Sequence, residues 1–315
     1  MRRATLAHAT LARATNEPAL RPTTRQLWLL VALTLVWGLN WPVMKLGVSG
    51  LPGAPQAYPA LTFRALSLLF GLPVLGAALA WLKVPLAVPR RHWRELAVLT
   101  LLNMGVWHVI VILGVQQLSS GRSAILGYTM PVFAALWGRW VWGERLGTRQ
   151  FLGVAAAALG VLLLLSGELA RFSGAPWAAL SVVAAAAVWA LGTHLLRRST
   201  MELPLLAIVF WMTAGTTALM TLLSISVESD LWRAPEPHVW GAIAYNAVGV
   251  FGFAHAAWFY LARSMPPVAS SVSVMLIPVL GVFSGAVLLG EALHWQDWTA
   301  VGLMVAAIGL VLLKR

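Results

Sequence analysis

Cysteine is absent from the 315-residue chain. That excludes a disulfide framework, a thiol nucleophile and a cysteine metal site. Charge is scarce: 10% of residues are Asp, Glu, Lys or Arg, against about 25% in an ordinary soluble domain. Acids are scarcer still, at 10 Asp and Glu to 22 Lys and Arg. They fall in the N-terminal stretch, in connections or at the edges of apolar runs. No apolar run carries a carboxylate at its centre, which argues against a mid-membrane carboxylate relay and against recognition of a polyvalent cation. A neutral or zwitterionic substrate is favoured, moved by facilitated transport or exchange. There is no phosphate-binding Gly-Lys-Ser/Thr loop, so direct drive by ATP is not expected.

What is there in quantity is apolar. The chain is 60% hydrophobic, with a mean hydropathy of +0.80. These values describe an all-α polytopic membrane protein. At about 20 apolar residues per crossing, around ten spans fit. They are expected near 27–47, 59–82, 95–117, 124–142, 150–167, 175–196, 204–226, 238–262, 267–289 and 297–313. The stretch before them, 1–26, is rich in Ala, Thr and Arg and lacks the apolar core of a secretory signal. It is expected to be a cytoplasmic tail, a transit peptide being the alternative.

The net charge of +12 does not imply nucleic acid, because the cations sit in short connections. With the N-terminus inside, sixteen cations lie on the inner side and three (Arg122, Arg171, Arg233) on the outer. That bias fits ten spans with both termini cytoplasmic. Lys45, Arg64 and Arg139 fall within or at the edges of spans; Arg64 and Arg139 are expected as edge anchors.

The chain repeats itself. Pro131 is followed thirteen residues later by Glu144 after Gly143; Pro278 is followed thirteen residues later by Glu291 after Gly290. Glycine pairs follow, Gly153/Gly160 and Gly302/Gly309. Trp37 to Lys45 reads onto Trp189 to Arg197. The offset is 147 at the Pro/Glu pair and 152 at the tryptophans. Such periodicity points to two units, 27–167 and 175–313. Five spans each makes them inverted five-helix repeats, the arrangement of many secondary transporters.

The Trp37-Gly38-x-Asn40…Lys45 first span and the Gly-Glu…Gly…Gly ends of both halves resemble the drug/metabolite transporter (DMT) superfamily, in its EamA-type permease branch, which includes bacterial amino-acid exporters. The second half departs from the pattern at Ala190 and Gly192. The resemblance implies a ten-helix fold, a central cavity between the repeats, alternating access and a place in the bacterial inner membrane. Members move amino acids, other small metabolites or cations, often outward. The expected function is export of neutral or aromatic amino acids, with a sugar or nucleotide-sugar carrier as the alternative. An integral membrane enzyme acting on lipid is the rival of another class; such enzymes usually need clustered acids or a Ser/His/Asp set, and the acids cluster at one face only as Glu228, Asp230 and Glu236. The expected partners are a small-molecule substrate and membrane lipid, with no cofactor, no metal, no nucleic acid and no catalytic residues.

Polar groups within spans turn away from lipid. Asn103, Trp107 and His108 in span three, and Tyr245, Asn246, His255 and Trp258 in span eight, are therefore candidate cavity residues, as are Asn40, Trp41, Tyr128 and Ser270. The bland alternative is interhelical hydrogen bonding without a ligand. Lys45 is a snorkelling residue, a carboxylate-binding cation or a partner for a helix C-terminus. Gly127, Pro131, Pro278 and Gly281 lie on small-residue stripes suited to close packing or to a kinked wall. Glu144 and Glu291 are expected to cap helix N-termini or to pair with basic residues. Trp28, Trp81, Trp93, Trp177, Trp232, Trp240, Trp295 and Trp298 are expected at the interfaces.

Overall fold

The computed structural model describes residues 23–49, 57–170, 175–264 and 267–312, with side chains omitted at 168–170, 259, 262–264, 267–275 and 311–312. No strand occurs among the described residues. The α-helices are α1 Thr24–Ser49, α2 Ala60–Trp81, α3 Trp93–Leu99, α4 Val106–Gln117, α5 Ser120–Gly127, α6 Met130–Trp142, α7 Thr148–Ala170 and α8 Pro176–Arg198. They continue as α9 Leu205–Glu228, α10 Pro237–Ala244, α11 His255–Ser264, α12 Pro267–Leu289 and α13 Trp295–Leu312. A π-helical segment, Thr100–Gly105, joins α3 to α4, and a second, Tyr245–Ala254, joins α10 to α11.

Local chemistry explains the ends. Thr23 and Gln26 form a reciprocal cap for α1: Thr23 N donates to Gln26 Oε1 at 2.8 Å, and Gln26 N to Thr23 Oγ1 at 3.3 Å. Ser119 Oγ accepts from Arg122 N at the start of α5. Helices α6 and α12 end at Gly143 and Gly290, with φ of 67° and 66°, the left-handed stop that only glycine adopts at no steric cost. Glu228, at the end of α9, accepts from Leu61 N (3.0 Å), Thr62 N (2.8 Å) and Thr62 Oγ1 (2.8 Å). That carboxylate caps the start of α2, so α2 and α9 run antiparallel.

Seven helical stretches among the described residues are long and apolar enough to cross a membrane, the third running from Arg90 to Gln117. This is a multi-pass integral membrane protein. The expected spans not among the seven are 124–142, which is broken, and 267–289 and 297–313, whose side chains are described in part. The break is a correction: Tyr128 and Thr129 interrupt the run between α5 and α6. Pro131 removes the N–H that would bond Gly127 O, and its ring crowds that carbonyl. At Pro278 the same loss is absorbed inside α12.

Helix α1 packs on α12, α2 on α9 and on the second π segment, and α7 on α13; α8 packs on α4, α5 and α6, and α9 on the first π segment. The main core gathers Trp41, Met44, Phe63, Leu68, Ile112 and Phe251. All eight tryptophans expected at interfaces are exposed.

Candidate functional site

The polar centre of the bundle is built around Arg64, five residues into α2 and only 2% exposed. Its burial overturns the expected role of an edge anchor: Arg64 lies near the start of its span but turns into the packed interior instead of outward. Arg64 Nη1 donates to Asn246 Oδ1 at 3.2 Å, and Nη2 meets Met44 Sδ. Its Cζ lies 5.8 Å from the centroid of Phe251. The same Phe251 ring stacks on His255 (5.6 Å, 9°) and meets His108 edge-on (5.5 Å, 63°). His255 Nδ1 lies 2.9 Å from Val250 O; a carbonyl only accepts, so the proton is on Nδ1 and Nε2 of the neutral ring is an acceptor. No carboxylate pairs with Arg64 among the described residues. Arg64 Nε and Asn40 Oδ1 are buried without a hydrogen-bond partner.

Of the residues expected in the cavity, His108, Asn246 and His255 meet here. Tyr245 reaches α1, donating to Val36 O at 2.8 Å. Trp258 packs on Trp37 (5.6 Å), and Trp41 on Tyr128 (6.3 Å). Asn103 does not join the cluster. Its Nδ2 donates to Thr193 Oγ1 (2.8 Å) and Trp189 O (3.3 Å) on α8. Lys45 Nζ donates to Gln116 O at 2.9 Å, the helix C-terminus role among those considered. The side chain of Ser270 lies outside the described residues. Around Trp41 the small residues are packing devices. A Cβ on Gly127 would lie 2.8 Å from Trp41 and 3.0 Å from Trp107; one on Gly281 would lie 2.7 Å from Ala124 Cβ.

Two further clusters close opposite ends of the α5–α6 rod. At the α5 end, Glu291 accepts from Ser120 N (2.7 Å), Ser120 Oγ (2.8 Å) and Gly121 N (3.4 Å). Beside it, Arg122 Nε pairs with Asp297 Oδ1 at 2.8 Å, both side chains 5% exposed. At the α6 end, Glu144 pairs with Arg198 at 2.8 Å, with side chains 54% and 47% exposed. Arg198 lies over Trp142 (4.7 Å), and Trp142 stacks on His194 (4.6 Å). Outside the spans, burial pushes the Tyr58 phenol above its ordinary value; the Arg233 charge opposes this and Glu228 reinforces it.

Two grooves open elsewhere. One of about 500 Å³ lies between Trp93, Thr100, Trp211 and Gly215. The other, of about 400 Å³, lies between Arg94, Glu95, Leu195 and Arg198. Neither is lined by a residue expected in the cavity. The Arg64 cluster itself is packed closed in this structure.

The sequence pattern of the EamA-like transporter family matches residues 24–166 and again 176–313. The chain belongs to the EamA-like transporter family. It is 29% identical to the uncharacterised inner membrane transporter YedA of Escherichia coli K12 over 289 residues, 91% of this chain and 90% of YedA. It is 25% identical to a probable terminal-alkyne amino-acid exporter of Streptantibioticus cattleyicolor, covering 92% and 94% of the two chains. A probable amino-acid metabolite efflux pump of Salmonella typhimurium is 24% identical, over 89% of this chain and 92% of the pump. One crystal structure, 21% identical, shares the fold at a TM-score of 0.62, over 90% of this chain and 96% of that one. Family membership makes the protein a membrane transporter with a small-molecule substrate.

Residues missed from the sequence were Arg64, Met44 and Phe251. The usable signal was Arg64 itself, a cation among apolar residues with no acid on its own helix.

Proposed function

We propose that the protein is a secondary transporter that exports neutral or aromatic amino acids across a bacterial inner membrane, by alternating access. Ten spans form two inverted repeats, 27–167 and 175–313, with both termini cytoplasmic and the substrate held between them. The observation that carries this is the composition of the central cluster: Arg64 and His108 come from the first repeat, Asn246, Phe251 and His255 from the second.

Other features support the arrangement. The π segments fall at matching places in the two family matches, each just before or at a histidine offset by 147, His108 and His255. Helices α2 and α9 are counterparts at the same offset, and they lie antiparallel, as inversion requires. The names of the relatives support a carrier rather than an enzyme, and two of them support amino-acid export. The cationic bias of the inner connections supports the orientation.

The experiment is counterflow in proteoliposomes with the twenty amino acids, on the native chain and on His108→Ala, Asn246→Ala and His255→Ala. Transport by the native chain, lowered about tenfold or more in the variants at equal reconstitution, is expected for bonds to a charged ligand. Native-like rates in all three variants would remove the site from the centre.

A further inference from the structure

We infer that Arg64 and Asn40 are the two poles of a zwitterion-binding site, Arg64 taking a carboxylate and Asn40 accepting from the neighbouring ammonium group. The site belongs to the carrier proposed above and names the two residues that recognise its substrate.

A guanidinium offers five N–H donors in a fixed plane. Arg64 spends one donor on Asn246 Oδ1 and one on Met44 sulfur, a weak acceptor; its Nε has none. At 2% exposure, with no carboxylate against it among the described residues, the group carries a charge that the protein does not neutralise. Buried charges persist when paired, so the missing anion comes from outside the chain.

The second pole is the opposite deficiency. Asn40 Oδ1 is a buried acceptor that lacks a donor. On α1, Asn40 lies one turn before Met44, which touches Arg64, and one turn after Val36, whose carbonyl accepts from Tyr245. Residues four apart share a helix face. Asn40 therefore faces the Tyr245–Asn246 stretch, alongside the Arg64 contact. An inorganic anion satisfies Arg64 alone, and an amine satisfies Asn40 alone. A molecule with a carboxylate and an adjacent ammonium satisfies both. Lys45, the sequence-level candidate for this role, already donates to Gln116 O.

The test uses the full chain in liposomes, with counterflow of labelled L-phenylalanine and L-leucine competed by three probes. L-phenylalanine retains both charges, L-phenylalaninamide lacks the carboxylate and 3-phenylpropanoate lacks the ammonium. Each incomplete probe is expected to compete at least about tenfold more weakly, the scale of one lost bond to a charged group. Equal competition by all three overturns the site while leaving the carrier standing. Absence of counterflow for all twenty amino acids overturns the amino-acid carrier and the site together.

Two variants test the residues. Arg64→Met and Asn40→Leu are expected to weaken competition by L-phenylalanine by at least about tenfold. The unliganded melting temperature of Arg64→Met should stay level or rise, because an unpaired buried charge has been replaced by an apolar chain. A fallen melting temperature with unchanged competition would make Arg64 merely structural. Should Arg64→Met fail to fold, the probe series on the native chain still decides.

Discussion

The turns Gly143-Glu144 and Gly290-Glu291 share one backbone design and serve different ends. In both, glycine stops a helix in the left-handed region. In both, the glutamate N–H returns to a glycine carbonyl six residues back, Gly138 at 3.0 Å and Gly285 at 3.3 Å. In both, the carboxylate lies against that glycine, where an added Cβ would come within 2.5 Å of Oε2. There the likeness stops. Glu291 holds the first N–H groups of α5 beside a buried Arg122–Asp297 pair. Glu144 holds an arginine in an exposed pair. One turn has become a lock and the other a latch, because only the first is covered by packed helices. The contacts at the Glu291 end are therefore costlier to break than those at the Glu144 end.

The sharpest way to break that contrast is Asp297→Ala. It removes a buried carboxylate that bonds both Arg122 Nε and His294 N and should cost about 3–5 kcal/mol, the scale of two bonds to a charged group, read as a fall in detergent melting temperature. Glu291→Ala comes next. It removes charge-assisted bonds to the start of α5 and should cost about 1.5–3 kcal/mol. Gly285→Ala and Gly138→Ala sharpen the comparison. Both place a methyl against a glutamate, but at Gly285 it also meets Ser120 Oγ. Glu144 can swing into solvent and Glu291 cannot without losing its cap. Gly285→Ala should therefore destabilise more than Gly138→Ala, and an equal effect would erase the distinction. The smallest change is expected for Glu144→Ala, below about 1 kcal/mol, and raising the salt should shrink it further.

Much of this was visible before any coordinates. Both Gly-Glu turns were found by spacing, and the capping or pairing role expected of their acids is what the structure shows. The eight tryptophans expected at the interfaces are all exposed, which an outward-facing place requires. The site was read less well, for physical reasons. A stripe drawn at 3.6 residues per turn ran from Asn103 through Trp107, with His108 beside it. Asn103 bonds Thr193 on another helix instead, a partner that the pattern of one helix does not reveal. Arg64 looked like an exposed anchor because its burial depends on Asn246 and Phe251, more than 180 residues away in sequence. Burial set by distant partners leaves no local pattern. The break at Tyr128 was half legible: Pro131 marked it, but the identical proline at Pro278 leaves α12 continuous.

The two π segments carry a mechanical consequence. Each contains surplus backbone relative to the α-helix on either side, and a surplus residue can be handed along the chain while hydrogen bonds are exchanged one for one. Each step of one residue re-aims only the side chain that the surplus passes, by about 100°, and leaves the helix on either side in place. Asn246, which lies inside the second segment, can thus be turned toward or away from its neighbours with no helix unwound.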